Sequence, residues 1–370
     1  MMYSDTQIVF PNLGGLTLDP PRGFDIGGLM IYFYGMIIAA GLILAVVYGL
    51  KRSRQFGIKQ DDILDGVLWI VPVAIIFARM YYVFSEWDQY SQNPINIINI
   101  RMGGLAIYGG VIGAVLGVIV YCKIKKLSLP AVLDIVALGF LIGQAIGRWG
   151  NFMNREAFGC YTDGLFAMRI SDANLPLAAT EAVQLQVQQL KDMAIAGGYQ
   201  GFIQVHPTFL YESLWNTVGF VALHFLSKKR QYDGQIALGY VAWYGLGRAI
   251  IEGLRMDSLY WGPFRASQLL AAVTCLTAVV ILLLMNLRKH DPAKLFVNRV
   301  AAAEAEKLAL EDEADEENEL TEESEETEES EETEETEESE ETEESEATED
   351  IDESEEPEES GEEEDTETKE

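Results

Sequence analysis

Seven long apolar runs, separated by shorter polar connections, dominate the first 290 or so residues of the chain. Each run is long enough to cross about 30 Å of hydrocarbon at about 1.5 Å per helical residue. The pattern predicts membrane-spanning helices over residues 29–50, 63–86, 104–122, 131–149, 207–226, 235–254 and 266–287. The predicted fold class is therefore an all-α polytopic membrane protein with seven transmembrane helices.

Lysine and arginine clusters follow every second predicted span, at residues 51–54, 123–126, 228–230 and 288–289. Cytoplasmic loops of membrane proteins retain such basic residues. This distribution predicts an N-terminus outside, a C-terminus in the cytoplasm, and an outer-face position for the long 150–205 segment.

The chain divides by composition into four parts. We expect an outer N-terminal arm over 1–28, a seven-helix domain over 29–290, a cytoplasmic juxtamembrane segment over 291–310 and a tail over 311–370. The tail is a degenerate Glu/Thr/Ser repeat that has too few apolar side chains to form a core, so it is predicted to be disordered. It is either a solvating appendage or a phosphorylated interaction arm, and its partner is unknown.

The formal net charge of −33 comes from the tail, because 40 of the 59 acidic residues lie in 301–370. Residues 1–300 contain 24 basic and 19 acidic residues, a net charge of +5. A soluble acidic enzyme is excluded, and so is a nucleic-acid partner, because no domain gathers an excess of basic residues. The three cysteines form neither a paired framework nor a C-x-x-C pattern, so no disulfide and no metal site are predicted.

Ionisable residues at membrane depth are costly and therefore usually paired or functional. Arg148 lies near the outer end of the fourth predicted span, with Asn151 on the same helical face. The sixth span presents a polar ladder spaced by four, four and three residues, predicted to lie on one side of one helix: Tyr244, Arg248, Glu252 and Arg255. The alternative to a functional role is that Arg248 and Glu252 form an ion pair that only joins helices.

Two arginines on separate spans near the outer leaflet favour a phosphate ligand, because guanidinium groups bind phosphate oxygens in a bidentate manner. A phospholipid head group is the phosphate most available at that depth. The alternative is a transporter that uses Arg148, Arg248 and Glu252 as a substrate or ion pathway. The internal repeats expected of a transporter are not found in the sequence.

The chain resembles the bacterial prolipoprotein diacylglyceryl transferase family over residues 25–290. The strongest match is GRWGNFMNREAFG, residues 147–159. Four weaker blocks support it in the same order: Phe33-Tyr34-Gly35, the Gly-rich segment 103–110, His206-Pro207 with Tyr211-Glu212, and Tyr244-Gly245 with Arg248, Glu252 and Arg255.

The resemblance implies an enzyme of the bacterial cell membrane, with its active site toward the outer face. Such an enzyme transfers the diacylglyceryl group of phosphatidylglycerol to the thiol of the lipobox cysteine of a prolipoprotein, and it releases glycerol phosphate. No metal and no cofactor are implied. The implied catalytic residues are Arg148, Arg248, Tyr108 and Glu252. The implied phosphatidylglycerol-binding residues are Arg148, Asn151, Asn154, Glu156, Gly159, Tyr34 and Tyr244.

Tyr108 departs from the family pattern, because many members have a histidine there that is proposed as the base. A tyrosine with an ordinary pKa of about 10 is a poor base near neutral pH unless an arginine lowers that pKa. Either the base lies elsewhere, or activation of the substrate thiol depends mainly on the two arginines. Cys160 is expected to be dispensable, because the attacking sulfur belongs to the substrate.

Overall fold

The structure is a computed structural model that describes residues 6–99, 103–175, 181–256, 260–261 and 264–314. The chain forms two compact units, Met1–Ala302 and Ala303–Glu370. The first unit contains the helical bundle and a small sheet. In the second unit, residues 303–314 are described, and they are helical and exposed.

Helices make up most of the first unit. They are α1 Phe33–Arg52, α2 Gln60–Ser85, α3 Trp87–Gln92, α4 Ile107–Ile124, α5 Leu129–Asn154, α6 Glu181–Ala196, α7 Thr208–Ser227, α8 Gln235–Ile251 and α9 Ala266–Asn286. The strands are short: β1 Ile8–Phe10, β2 Leu16–Leu18, β3 Gly23–Ile26, β4 Leu29–Tyr32, β5 Met168–Ser171, β6 Phe202–Val205, β7 Tyr260–Trp261 and β8 Phe264–Arg265.

Five helices in the described part of the chain, α1, α2, α4, α5 and α9, are long and apolar enough to cross a membrane. The predicted multi-pass helical membrane protein is thus confirmed. Helices α7 and α8 do not belong to this set. Helix α8 has only 17 residues, and α7 includes several polar residues in its sequence. The seven-span count and the orientation therefore stay predictions.

Four of the strands form an antiparallel sheet that the sequence analysis did not predict. Its order is β2-β1-β5-β6, with Val9 opposite Arg169 and Ile170 opposite Ile203. Strand β1 belongs to the predicted N-terminal arm, whereas β5 and β6 belong to the predicted 150–205 insertion. These two segments therefore form one body around a shared apolar core, which also includes Leu190 of α6.

Three helix boundaries differ from the predicted spans in ways that affect the site. Helix α1 begins at Phe33, because residues 29–32 form β4 and pair with β3. Helix α5 continues to Asn154, so most of the 147–159 segment is helical. Helix α8 ends at Ile251 and is followed by a 3-10 turn, Glu252–Leu254, and by an extended Arg255. The prediction that Tyr244, Arg248, Glu252 and Arg255 share one helix was wrong for its last two members.

Helix α5 lies at the centre of the bundle and packs against α1, α7 and α8. Helices α7 and α8 are joined by two tryptophans, whose rings stack with their centroids 4.5 Å apart. The indole nitrogen of Trp215 donates to the carbonyl oxygen of Trp243, and that of Trp243 donates to the carbonyl oxygen of Trp215, both at 3.0 Å. A side chain at Gly219 or Gly247 would collide with these rings, so the pair requires glycine on each helix.

Asp134 of α5 is fully buried and binds the N-terminus of α8. One carboxylate oxygen accepts from the amides of Ile236 and Ala237, and the other accepts from the amide of Gly234, all at 2.9 Å. The first amides of a helix have no partner within the helix. Asp134 therefore supplies, from a neighbouring helix, the cap that the start of α8 needs.

The segment after α9 returns to the opposite end of the bundle from Arg148. The amide of Phe296 donates to Asp233 at 2.8 Å, and the His290 ring stacks on Tyr232. Gly57 has a positive φ of 74° and leaves no space for a side chain, because its Cβ would lie 2.7 Å from Cα of Val297. The predicted disordered tail, 311–370, lies outside the described residues except for 311–314, which continue the helix of the second unit.

We predict that Asp134→Ala destabilises the bundle by about 2–3 kcal/mol, because three amides of α8 lose a charged acceptor in an apolar environment. Thermal unfolding in detergent should show a lowered melting temperature. The matched control is Asp192→Ala on α6, which removes an exposed carboxylate that accepts a single hydrogen bond from Gln188. Equal melting temperatures for the two variants would contradict the capping role.

Candidate active site

Glu212 of α7 lies at the centre of a buried cluster of charges. Its carboxylate oxygens lie 2.5 Å from Nη2 of Arg148, 3.5 Å from Nη1 of Arg248 and 3.2 Å from Nη1 of Arg255. These arginines come from α5, from α8 and from the extended residue after the 3-10 turn. One carboxylate thus joins three separate parts of the bundle.

Glu252 is the second carboxylate of the cluster. Its Oε2 lies 2.7 Å from Nη2 of Arg248 and 3.9 Å from Nε of Arg255. Its backbone carbonyl accepts a hydrogen bond from the guanidinium of Arg265. Glu252 caps α8 in the helical conformation, so it faces Arg248 at the i,i+4 spacing, and the extended Arg255 after the 3-10 turn reaches Glu212.

The ion pairs of the cluster join three guanidinium groups and two carboxylates, so these paired groups together have one net positive charge, in which Arg265 beside Glu252 is not counted. Glu212 and Glu252 are only 5% and 2% exposed, whereas the side chains of Arg148 and Arg248 are 20% and 21% exposed. Attraction between charges is stronger in such surroundings than in water. The two more accessible arginines are therefore the cationic groups that an incoming anion can reach.

The end of α5 extends this cluster through amide side chains. Nη1 of Arg148 lies 3.4 Å from Oδ1 of Asn151, and Nδ2 of Asn151 donates to Glu156 at 2.9 Å. Asn154 donates to the same oxygen of Glu156 at 3.4 Å. Arg155 ends the helix with a positive φ of 56°, which turns the chain so that Glu156 faces back toward Asn151.

Gly159 lies where three chain segments meet. Its amide donates to the carbonyl of His206 at 3.0 Å, and it forms a β-bridge with Arg255. A Cβ atom at this position would lie 2.7 Å from Cβ of His206 and 2.8 Å from the carbonyl oxygen of Leu254. The glycine is thus required for the close approach that brings Arg255 to the cluster.

Burial lowers the pKa of His206, whose Nδ1 lies 3.3 Å from the Tyr211 hydroxyl.

Two of the predicted tyrosines lie on helices that border α5. The ring of Tyr34 on α1 packs over Gly150, where a Cβ would lie 2.8 Å from the ring carbon Cδ2. Tyr244 on α8 stacks on Tyr240 at 5.7 Å between ring centroids. The Tyr240 hydroxyl in turn accepts from Gln144 of α5 at 2.8 Å.

Tyr108, the remaining predicted residue, lies in the first turn of α4. Its side chain is 61% exposed, and its ring lies 6.5 Å from that of Tyr81 on α2. No hydrogen bond or ion pair between described residues joins it to the Glu212 cluster. The structure therefore connects Arg148, Arg248, Glu252, Asn151, Asn154 and Glu156 by direct contacts, whereas Tyr108 lies on the separate α2–α4 pair.

Glu212 and Arg255 were absent from the predicted site, although both residues were noted in the sequence. Glu212 stands inside the predicted span 207–226, and a carboxylate at membrane depth is itself a signal of pairing or function. The pairing with Arg148 could not be found from spacing, because the two residues are 64 positions apart. In the described part of the chain, no three His, Cys, Asp or Glu side chains converge in a way that could hold a metal ion.

Comparison with known proteins identifies the family. A family profile described as prolipoprotein diacylglyceryl transferase matches residues 21–284. The chain belongs to the prolipoprotein diacylglyceryl transferase family. The resemblance seen in the sequence is thereby confirmed.

Relatives within the family are similar over most of their length. A phosphatidylglycerol–prolipoprotein diacylglyceryl transferase of Listeria monocytogenes serotype 4b is 40% identical over 272 residues, covering 74% of this chain and 92% of the relative. The protein of the same name from Enterococcus faecalis is 42% identical over 279 residues, covering 75% and 93%. That from Bacillus mycoides is 42% identical over 259 residues, covering 70% and 89%.

We predict that Glu212→Ala destabilises this family member by about 3–5 kcal/mol, because the buried Arg255 and the partly exposed Arg148 and Arg248 lose their shared partner. Thermal unfolding in detergent is the measurement. Glu156→Ala is the control, because Glu156 is exposed and accepts only two amide hydrogen bonds, so its loss should cost about 1 kcal/mol. A Glu212→Ala protein as stable as the control would show that the cluster does not depend on this carboxylate.

Proposed function

We propose that this chain is a phosphatidylglycerol–prolipoprotein diacylglyceryl transferase that acts in lipoprotein maturation. It moves the diacylglyceryl group of phosphatidylglycerol to the thiol of a lipobox cysteine and releases glycerol phosphate. The observation that supports this most directly is the convergence of Arg148 and Arg248, two partly exposed guanidinium groups from different helices, on Glu212. Family membership supplies the reaction type.

The reaction forms a carbon–sulfur bond and breaks the bond between the glycerol carbon and a phosphate oxygen. The nucleophile is the substrate thiolate, since a thiol with a pKa of about 8.5 reacts through its ionised form. The electron pair of the broken bond remains on the phosphate, and the thiol proton is lost to a base. Arg148 and Arg248 stabilise the charge that develops on the departing oxygen, which is worth most where water is excluded.

The other site residues hold these two arginines in place. Asn151 connects Arg148 to Glu156, and Asn154 donates to the same carboxylate. Glu212 and Glu252 set the direction of the two guanidinium groups. Gly159 permits the chain crossing that brings Arg255 to Glu212. Tyr34 and Tyr244 line the helices on either side of α5 and contact the lipid. Tyr108 is retained as a proposed site residue. It is exposed on the α2–α4 pair, and the proposed reaction gives it no proton-transfer step.

We further propose that α7 and α8 also span the membrane, which gives seven spans. The strongly polar Glu212 and Asn216 are buried, whereas the exposed residues are mostly apolar, as Leu214, Phe225 and Ile250 illustrate. This inverted distribution suits lipid and not water. Helices α7 and α8 also pack against α5, and α8 packs against α9, and both α5 and α9 are long and apolar enough to span.

The orientation follows from the basic residues at the ends of α1, α4, α7 and α9. Such clusters mark the cytoplasmic side. Arg148 and the sheet of β1, β2, β5 and β6 are then on the outer face of the bacterial cell membrane. The acidic tail is in the cytoplasm.

The test is an assay with the purified full chain, labelled phosphatidylglycerol and a peptide that contains a lipobox cysteine. Label should appear on the peptide, and it should not appear on a peptide in which that cysteine is serine. Absence of transfer by a folded protein, together with uptake of another solute in vesicles, would overturn the transferase in favour of a transporter.

We predict that Arg148→Ala lowers the transfer rate by about 10²-fold or more, because one of the two phosphate-binding groups is lost. Arg148→Lys should be impaired as well, because an ammonium group cannot bind two phosphate oxygens in a planar fork. Cys160→Ser is the matched control in the adjoining segment and should keep full activity. A folded but inactive Cys160→Ser protein would contradict attack by the substrate thiol.

We also predict that removal of residues 301–370 leaves the transfer rate unchanged. The cut leaves Phe296 and Val297 in place, so the contacts of this segment with Asp233 and Gly57 are retained. The comparison is the initial rate of the truncated protein against the full chain at equal folded concentration. A loss of activity on truncation would show that the tail takes part in catalysis or in folding.

A further inference from the structure

Arg79 of α2 is a buried arginine that the proposed reaction does not use. All of its guanidinium nitrogens donate to backbone carbonyls of the segment that connects α3 to α4. The acceptors are the carbonyl oxygens of Asn96 at 2.5 Å, Ile97 at 2.8 Å, Asn99 at 3.2 Å, Gly103 at 2.8 Å and Gly104 at 2.8 Å. Five N–H donors are the full capacity of a guanidinium group. Among the described residues, no carboxylate lies within ion-pair distance of Arg79.

The same arrangement explains the Gly103-Gly104 pair that precedes α4. Both glycines have positive φ angles, 83° and 79°, and both of their carbonyls accept from Nη1 of Arg79. A Cβ atom on Gly104 would lie 2.7 Å from a ring carbon of Tyr82 and would also collide with Arg79. The amide of Ala106 then donates to the carbonyl of Ala78 at 3.0 Å and fixes the start of α4. Residues 96–99 and 103–104 therefore share one side chain as their hydrogen-bond donor.

The residues that Arg79 binds lie at the same end of the bundle as the Glu212 cluster. Tyr34, in the first turn of α1, contacts Gly150 next to Arg148. The connection from α1 to α2, residues 53–59, is too short to cross the bundle, so α2 returns to the end where α1 began. Arg79 lies near that end of α2, and Tyr108 follows the segment directly.

The outer surface of this region is unusually apolar. Ile98 is 84% exposed and Ile107 is 81% exposed, and Phe84 and Ile95 are exposed to a similar degree. Apolar side chains that are this exposed indicate contact with lipid or with a partner. Phe84 and Ile107 belong to α2 and α4, two of the helices long and apolar enough to cross a membrane, so this surface continues the face that meets lipid.

We propose that Arg79 is a positioning residue, which holds residues 96–99 and 103–104 so that Ile95 and Ile98 enter the interface of the bilayer beside Tyr108. The occupant of this apolar surface is phospholipid, whose acyl chains pass along it on the way to Arg148 and Arg248. The second statement rests on the proposed transferase function, whereas the position of the segment does not.

The experiment measures the membrane depth of Ile98 and the kinetics in the same variants. A fluorophore is attached to Ile98→Cys, after Cys160 and Cys275, which are partly exposed, have been replaced by serine; Cys122 is buried and is kept. The protein is placed in phosphatidylglycerol bilayers that contain a brominated lipid quencher. A label at Gln189→Cys, an exposed position of α6, is the reference for a site outside the lipid.

We expect strong quenching at position 98 and little at position 189. Arg79→Lys keeps the charge but offers three donors from one nitrogen, so it cannot hold five carbonyls, and quenching at 98 should fall about twofold or more. The KM for phosphatidylglycerol should rise about tenfold while kcat changes less, because lipid approach is impaired and not chemistry. Gly104→Ala should behave like Arg79→Lys. The matched control Gly110→Ala should not, because its Cβ would lie at an ordinary 3.6 Å from Ala78.

Several outcomes overturn the proposal. Wild-type quenching at 98 as weak as at 189 would show that the segment does not reach lipid. Arg79→Lys and Gly104→Ala proteins that keep both quenching and KM would show that Arg79 does not position it. If one of these two variants fails to fold, the other variant and the depth of the label at position 98 in the wild-type background still test the proposal. A quenching pattern as expected in a wild-type protein without transferase activity would reject the proposed function but keep the position of the segment.

Discussion

Pairing of buried charge is the constraint on which this bundle depends. The Glu212 carboxylate binds arginines from α5, from α8 and from the chain that follows α8. Buried ions that lose a partner are strongly destabilising, so the three segments cannot shift independently. The 3-10 turn after α8 and the close packing of Gly159 against the chain at Leu254 and Arg255 bring the Arg255 side chain to the cluster that contains Glu252.

Elsewhere in the described bundle, polar side chains of one helix form hydrogen bonds with backbone groups of a neighbouring helix or segment. Asp134 binds the amides that start α8, and Arg79 binds carbonyls of the segment before α4. Trp215 and Trp243 exchange hydrogen bonds with each other's backbone. In lipid, apolar packing alone gives little preference for one helix arrangement, since lipid tails are as apolar as the side chains. These polar contacts are therefore what makes the arrangement specific.

The sequence predicted the features that depend on composition and local spacing, and it missed those that depend on pairing between distant residues. Apolar runs revealed α1, α2, α4, α5 and α9, and the cost of charge in lipid drew attention to Arg148 and Arg248. The role of Glu212 depends on residues far away in the chain. The strands of the β2-β1-β5-β6 sheet have only three or four residues each, too few for an alternating pattern to be seen. The break after Ile251 was missed although Gly253 follows the C-cap Glu252, where a glycine commonly ends a helix, because the apolar pattern continues past it.

The single excess positive charge of the Glu212 cluster has a consequence for turnover on the proposed chemistry. A phosphodiester head group carries one negative charge, so its binding makes the cluster electrically neutral in a poorly solvated place. After transfer, the free glycerol phosphate is a monoester with a charge between about −1.5 and −2 at neutral pH. The occupied site then has an excess of negative charge, which water solvates better than the bundle does. The charge balance of the ion-paired groups thus favours retention of the donor lipid and departure of the small product.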